Sequence, residues 1–129
     1  MTLTFGARVD RRAPRTLTEA EQLSGVGNLL IELAELTEAI ERAMAKRDRI
    51  VSRLDGGEIE ATEEQRMQAE AKASAYLAEA KRHERDRDRT VKAFQMAWVD
   101  LDDELRDWIR EEALPMPCWA GIRPLLVVA

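Results

Sequence analysis

Four carboxylates between residues 100 and 107 form the group of side chains best suited to metal chemistry. Asp100, Asp103, Glu104 and Asp107 stand at spacings of three and four residues, so a continuous helix would place them on one face. Carboxylate oxygens are the ligands that hard divalent cations prefer. A solvated acidic face is the commoner cause of such a run, and we therefore predict neither a metal nor a cofactor.

The other reactive side chains stand alone. His83 is the only histidine and Cys118 the only cysteine, so no His or Cys lies at the spacing of a zinc site. We interpret His83 as a solvated residue and Cys118 as a small apolar contact. The stretch GVGN, residues 25–28, lacks the Lys and the further Gly of a phosphate loop. Because no nucleophile has a base beside it in the sequence, we predict that the protein is not an enzyme.

Positive charge is concentrated in two stretches, although the formal net charge of the chain is −5. The first is the N-terminal arm, and the second is KRHERDRDR, residues 81–89. Glu84, Asp86 and Asp88 interrupt the second stretch and would repel a phosphate backbone, so we favour a solvated helical spacer there. The candidate contacts to nucleic acid or another anion are Arg8, Arg11, Arg12, Arg15, Arg82 and Arg85.

The composition is typical of long helices, because 35% of residues are charged and only 5% are aromatic. No disulfide can form within a chain that has one cysteine, which favours a reducing compartment. We find neither the apolar core of a signal peptide nor an apolar run of membrane-spanning length. The sequence therefore predicts a cytoplasmic protein with no membrane contact, or one incorporated into a virus particle assembled in the cytoplasm.

Capping and termination signals mark where helices begin and end, and they predict an all-α fold. The pairs Thr18/Glu21 and Thr62/Gln65 fit capping boxes, the glycines of SGVGN predict a break, and the glycines of DGG predict a helix end. We predict a long antiparallel, coiled-coil-like hairpin with a short N-terminal helix. The predicted parts are a basic arm (1–17), helices at about 18–24, 28–54 and 62–114 within a domain 18–114, and an extended apolar tail (115–129).

Apolar residues at alternating steps of three and four mark the predicted packing surfaces. With Leu54 opposite Thr62, Gly27 would lie opposite about Arg89, and the apolar stretch 28–36 would face charge. The later apolar series from Val91 to Trp108 would extend beyond helix one. Three things could cover these apolar surfaces: the chain's own ends, helix two folded back at a break near residues 86–90, or another subunit. The predicted partner-binding residues are Leu29, Leu30, Leu33, Phe94, Trp98, Leu101, Leu105, Trp108, Trp119, Leu125 and Leu126.

These features predict a structural or assembly protein that acts through helical packing and terminal arms. Its partners would be protein subunits, as a homo-oligomer or a multi-subunit complex such as a phage or virus particle. One alternative is a dimeric regulator that binds nucleic acid through the N-terminal arginines and the stretch from Lys81 to Lys92. The other is a small inhibitor that masks the surface of a host protein.

Overall fold

The computed structural model describes residues 17–57 and 62–126, and these residues form helices joined by short turns. Helix α1 spans Leu17–Asp55, α2 spans Glu63–Asp100 and α3 spans Asp103–Trp108. A π-helical turn at Ile109–Ala113 and two 3-10 turns, Pro117–Trp119 and Arg123–Leu125, follow α3. The predicted basic arm, with Arg8, Arg11, Arg12 and Arg15, lies outside the described residues.

The predicted all-α hairpin is confirmed, since α1 and α2 pack against each other and no strand occurs in the described ranges. Two contacts give the register. Gln22 Nε2 donates to the backbone oxygen of Asp100 at 3.5 Å, and Lys46 Nζ lies 5.6 Å from the ring centre of Tyr76. Gly27 therefore lies opposite about residue 95. Our predicted register was wrong by about six residues, because it was counted from the turn rather than from the packing.

The turn between the helices follows the sequence prediction. Gly57 has φ 66°, the left-handed conformation that glycine adopts after a helix. At the start of α2 the backbone N–H of Thr62 donates to Gln65 Oε1 at 3.0 Å, and the N–H of Gln65 donates to Thr62 Oγ1 at 3.2 Å. This reciprocal pair is the predicted capping box.

The predicted break at Gly25–Gly27 is absent, and one helix replaces the predicted helices 18–24 and 28–54. Each glycine costs a helix about 1 kcal/mol relative to alanine. Burial of Leu23, Val26 and Leu30 outweighs that cost, since each apolar side chain contributes about 1.5–3 kcal/mol. The helix also begins at Leu17, one residue before the predicted Thr18.

Helix α2 runs through the charged stretch 81–89 without a break, as the absence of Gly and Pro predicted. It ends at Asp100, whereas we had predicted that it continues to Leu114. Asp102 is extended, with φ −64° and ψ 150°, and precedes α3. Aspartate favours this position before a helix over a helix interior, and the change of direction allows the residues that follow to pack back on the hairpin.

The described residues belong to two compact units. One contains residues up to Glu35 together with Arg87–Ala129, and the other is Leu36–Asp86, which we call the hairpin unit. The first has a core of fifteen buried side chains, the main core, and the second buries only Ile40, Ala43 and Ala80 as a cluster. No helix in the described ranges is long and apolar enough to span a membrane.

Replacing Thr62 with alanine removes the hydroxyl that accepts from Gln65 N–H. We expect Thr62→Ala to lower the free energy of unfolding by about 0.5–2 kcal/mol, because one helix-end donor loses its partner. Thr62→Ser keeps the hydroxyl and serves as the control. Urea denaturation followed by circular dichroism measures both variants. Equal stability of Thr62→Ala and Thr62→Ser would contradict the assignment.

Candidate interaction surface

The residues predicted to bind a partner lie in the chain's own main core. Leu30, Leu33 and Phe94 are fully buried at 0% exposure, and Leu29 and Leu125 are half-buried. Of the three covers that the sequence left open, the structure shows the chain's own C-terminal end, so burial of these side chains requires no partner, and their part in partner binding stays a prediction. The other predicted residues, all buried in the same core, are Trp98, Leu101, Leu105, Trp108, Trp119 and Leu126.

Residues 103–126, the C-terminal segment, supply eight of the fifteen side chains in the main core. Within it the N–H of Leu114 donates to the Ile109 backbone oxygen at 2.8 Å, an i to i+5 bond. This wider turn lets Trp108 and Ile109 point into the core together with Ala113 and Leu114, five residues later. The 3-10 turns then bring Trp119 and Ile122 inward. The tail is thus folded up to Leu126, and the predicted extended form is wrong for the described residues.

The acidic residues after Asp100 do not share one helical face, because the chain leaves the helical conformation at residues 101–102. Asp103 pairs with Arg106, and Asp107 accepts from Arg110 Nη1 at 2.9 Å. Arg110 also lies 5.9 Å from the ring centre of Trp98, which stacks on Phe94 with centroids 5.8 Å apart. In residues 17–57 and 62–126 no group of three His, Cys, Asp or Glu side chains is arranged to hold a metal.

His83 and Cys118 both differ from our interpretation. His83 is half-buried at a seam position of α2, with Nε2 3.8 Å from Glu79 Oε1, rather than solvated. Cys118 is exposed rather than an apolar contact. The cause is the 3-10 turn Pro117–Trp119, which directs Trp119 into the core and leaves Cys118 on the outside.

Of the predicted anion contacts, Arg82 and Arg85 lie within the described residues, and both are exposed. The carboxylates of Glu84 and Asp88 are exposed on the same stretch, so the cations are not free of neighbouring negative charge. A role for Arg82 and Arg85 in binding nucleic acid stays a prediction.

The hairpin unit exposes a set of apolar side chains that the sequence analysis did not assign to a site. Met67 is 64% exposed, and Met44, Val51 and Leu77 are half-buried; we call these four residues the hairpin face. Met44 and Val51 are seven residues apart, directly after the seam positions Ala43 and Ile50. That spacing was visible in the sequence. The exposure was not, because it depends on which part of the hairpin the C-terminal segment covers.

The chain was compared with protein-family models, curated proteins and solved structures. None matched.

Trp119 provides a test of the folded tail. Its side chain is 4% exposed, and its indole N–H has no hydrogen-bond partner among the described residues. Trp119→Ala should lower the free energy of unfolding by about 3–5 kcal/mol through lost packing. Trp119→Phe should cost clearly less, since it keeps an aromatic ring and removes an unsatisfied donor. Thermal or urea denaturation compares the two, and a small effect of Trp119→Ala would contradict docking of the tail.

The exposure of Cys118 is testable without denaturation. We expect the native protein to react with a soluble disulfide reagent about as fast as the urea-unfolded protein, because the folded chain leaves the sulfur accessible. Absorbance of the released thiolate follows the reaction. Cys118→Ser provides the blank, and a native thiol that reacts only after unfolding would contradict the position of this turn.

Proposed function

We propose that the protein is a non-enzymatic assembly protein that acts by packing its hairpin unit against a helical surface of another subunit. The observation that supports the proposal is the contrast between the two units. The main core buries three tryptophans and a phenylalanine, whereas the hairpin unit buries one isoleucine and three alanines. Its larger apolar side chains remain partly or largely exposed.

The composition of α2 explains the thin core of the hairpin unit. The seam positions Ala69, Ala73, Tyr76 and Ala80 offer mainly methyl groups to α1, so the side chains of α2 bring little apolar volume to the seam. Met44 packs against the small cluster of Ile40, Ala43 and Ala80, and Met44, Val51 and Leu77 all remain half-buried. Two helices with an apolar flank of this kind gain stability when a further helical layer packs over it.

Exposed apolar side chains in one region are costly in a monomer and are typical of interaction surfaces. Fully burying a Leu, Met or Val side chain contributes about 1.5–3 kcal/mol, so covering the partly exposed hairpin face would contribute several kcal/mol to association. A multi-subunit complex, such as a virus particle, is the setting in which we expect this contribution to be used. The proposal requires neither a cofactor nor a catalytic group.

Oxidation of methionine by dilute peroxide, in a fresh extract of cells that produce the protein, tests the proposal. Met67 lies on the hairpin face, and Met96, which is 72% exposed on α2 outside the hairpin unit, is the internal control. A subunit packed on the hairpin face slows conversion of Met67 to the sulfoxide relative to Met96. Peptide mass spectrometry of the protein from freshly opened cells measures both sites.

We expect Met67 to be oxidised several-fold more slowly than Met96 in the cell extract, and both to react at similar rates in the dilute purified chain. Equal rates in the extract would overturn the proposal. Unfolding the purified chain in urea before oxidation provides the reference rate for each methionine.

A further inference from the structure

We propose that one flank of the hairpin unit binds the phosphate backbone of a nucleic-acid duplex. This inference goes beyond the proposed function, because it concerns the side of the unit away from the hairpin face. Three observations carry it: the alignment of exposed cations, the separation of charge between the two flanks, and the kinds of side chain that surround the cations.

Exposed cations form a row along α1. Four of them recur at steps of four, three and four residues, a spacing that places them on one side of the helix. They are Arg42, Lys46, Arg49 and Arg53. At 1.5 Å per residue the row is about 16 Å long.

Helix α2 adds cations to the same side. Lys46 Nζ lies 5.6 Å from the ring centre of Tyr76, so this side of α1 borders α2. In the register of the hairpin, Lys72 is level with about residue 50, within the length of the row. Lys46 and Lys72 each directly precede a seam position, and in an antiparallel pair such positions of the two helices lie on the same side. Arg82, one of the predicted anion contacts, is also exposed on this side, and we call these six cations the basic flank.

Charge is separated between the two flanks of the hairpin unit. Among its described residues, the acids on the basic flank are Glu79 and Asp86, and both are half-buried. The flank that carries the hairpin face has Lys81 as its one exposed cation in the described ranges, among five exposed acids. These acids are Glu41, Asp48, Asp55, Glu70 and Glu84. A polyanion is thus attracted to one flank and repelled by the other, although the net charge of the chain is −5.

The ion pair printed on the basic flank is weak enough to exchange for phosphate. Arg42 Nη1 lies 3.8 Å from Glu38 Oε2, and the two side chains are 67% and 71% exposed. An exposed pair of this kind contributes about 0–1 kcal/mol. A guanidinium can instead donate two parallel hydrogen bonds to one phosphate, which is a stronger contact.

The surroundings of the cations favour a phosphate backbone over a membrane or a protein. In the described ranges no large apolar side chain is exposed on the basic flank. Helices that bind a membrane surface insert apolar side chains beside their cations, and protein interfaces are anchored by buried apolar or aromatic groups. The other exposed side chains on this flank are polar or small: Gln65, Gln68 and Ala75. Recognition by charge and hydrogen bonding alone is typical of backbone contacts.

A duplex fits this flank better than a single strand. Proteins that bind single strands present aromatic rings on which unpaired bases stack. The aromatic ring at this side, Tyr76, is half-buried and lies next to Lys46. A duplex carries one phosphate charge per about 1.7 Å of axis, so about ten phosphates lie within the 16 Å of the row. Each cation of the row therefore has a phosphate within reach.

Fluorescence anisotropy of a short labelled DNA duplex, titrated with the purified full chain at several salt concentrations, tests the inference. With four phosphate contacts, the logarithm of the affinity should fall against the logarithm of the salt concentration with a slope of about −3.6. Affinity should then drop about a hundredfold between about 50 and 200 mM salt, and equally for duplexes of unrelated sequence. Absence of binding at the lower salt concentration would overturn the inference.

Two matched double variants locate the binding surface. Arg49→Gln/Lys72→Gln removes two cations of the basic flank, and Lys81→Gln/Arg85→Gln removes one lysine and one arginine from other sides of the same unit. All four side chains are exposed, and circular dichroism verifies that both variants fold. The first variant should reduce the magnitude of the salt slope by about 2, because each phosphate contact contributes about 1, and the second should leave the slope unchanged.

Equal slopes in the two double variants would overturn the assigned flank, since binding would then lie elsewhere, for example on the arginines of the N-terminal arm. Competition with poly-glutamate tests the class of partner. We expect the labelled duplex to be displaced by unlabelled duplex at a charge concentration at least tenfold lower than that of poly-glutamate. Equal displacement would assign the flank to an acidic protein and overturn the inference.

Discussion

Packing of Leu30 and Leu33 against Phe94 is the interaction on which the rest of the structure depends. All three side chains are fully buried, and with the Gln22–Asp100 contact they fix which turns of α1 and α2 are neighbours. Once this register is set, the side chains that follow the seam in both helices form an apolar flank. The C-terminal segment packs on that flank because it carries aromatic and aliphatic side chains at matching positions. Register therefore determines the whole main core.

The charged stretch 81–89 follows from the same register. His83 and Arg87 occupy seam positions of α2 between Ala80 and Thr90, where an uninterrupted coiled coil would place apolar residues. The apolar clusters on either side thus remain separate, one rich in aromatic residues and the other made of small side chains. Polar residues at seam positions favour one alignment of two helices over shifted ones. The stretch is helical throughout and its exposed side chains remain solvated.

Local signals in the sequence predicted local structure well. Thr62 and Gln65 marked the start of α2, Gly57 marked the end of α1, and the absence of Gly and Pro predicted continuity through Arg85. The failures all concern interactions distant in sequence. Gly25 did not break α1, because the burial of its neighbours outweighs an intrinsic propensity of about 1 kcal/mol. Trp108 and Trp119 were predicted to bind a partner, and their place in the core around the C-terminal segment could not be predicted, because no periodicity shows that residues 101–102 redirect the chain. The exposure of Cys118 was missed for the same reason, because it depends on the turn that directs Trp119 into the core.

The C-terminal segment also has a consequence for biosynthesis. Leu30 and Phe94 are translated well before Trp119 and Ile122, which complete the core around them. Until these residues are added, the apolar flank of the two helices is uncovered, and association with other chains competes with folding of the main core. Closure of the main core therefore waits for Trp119 and Ile122, whatever the intrinsic helicity of α1 and α2.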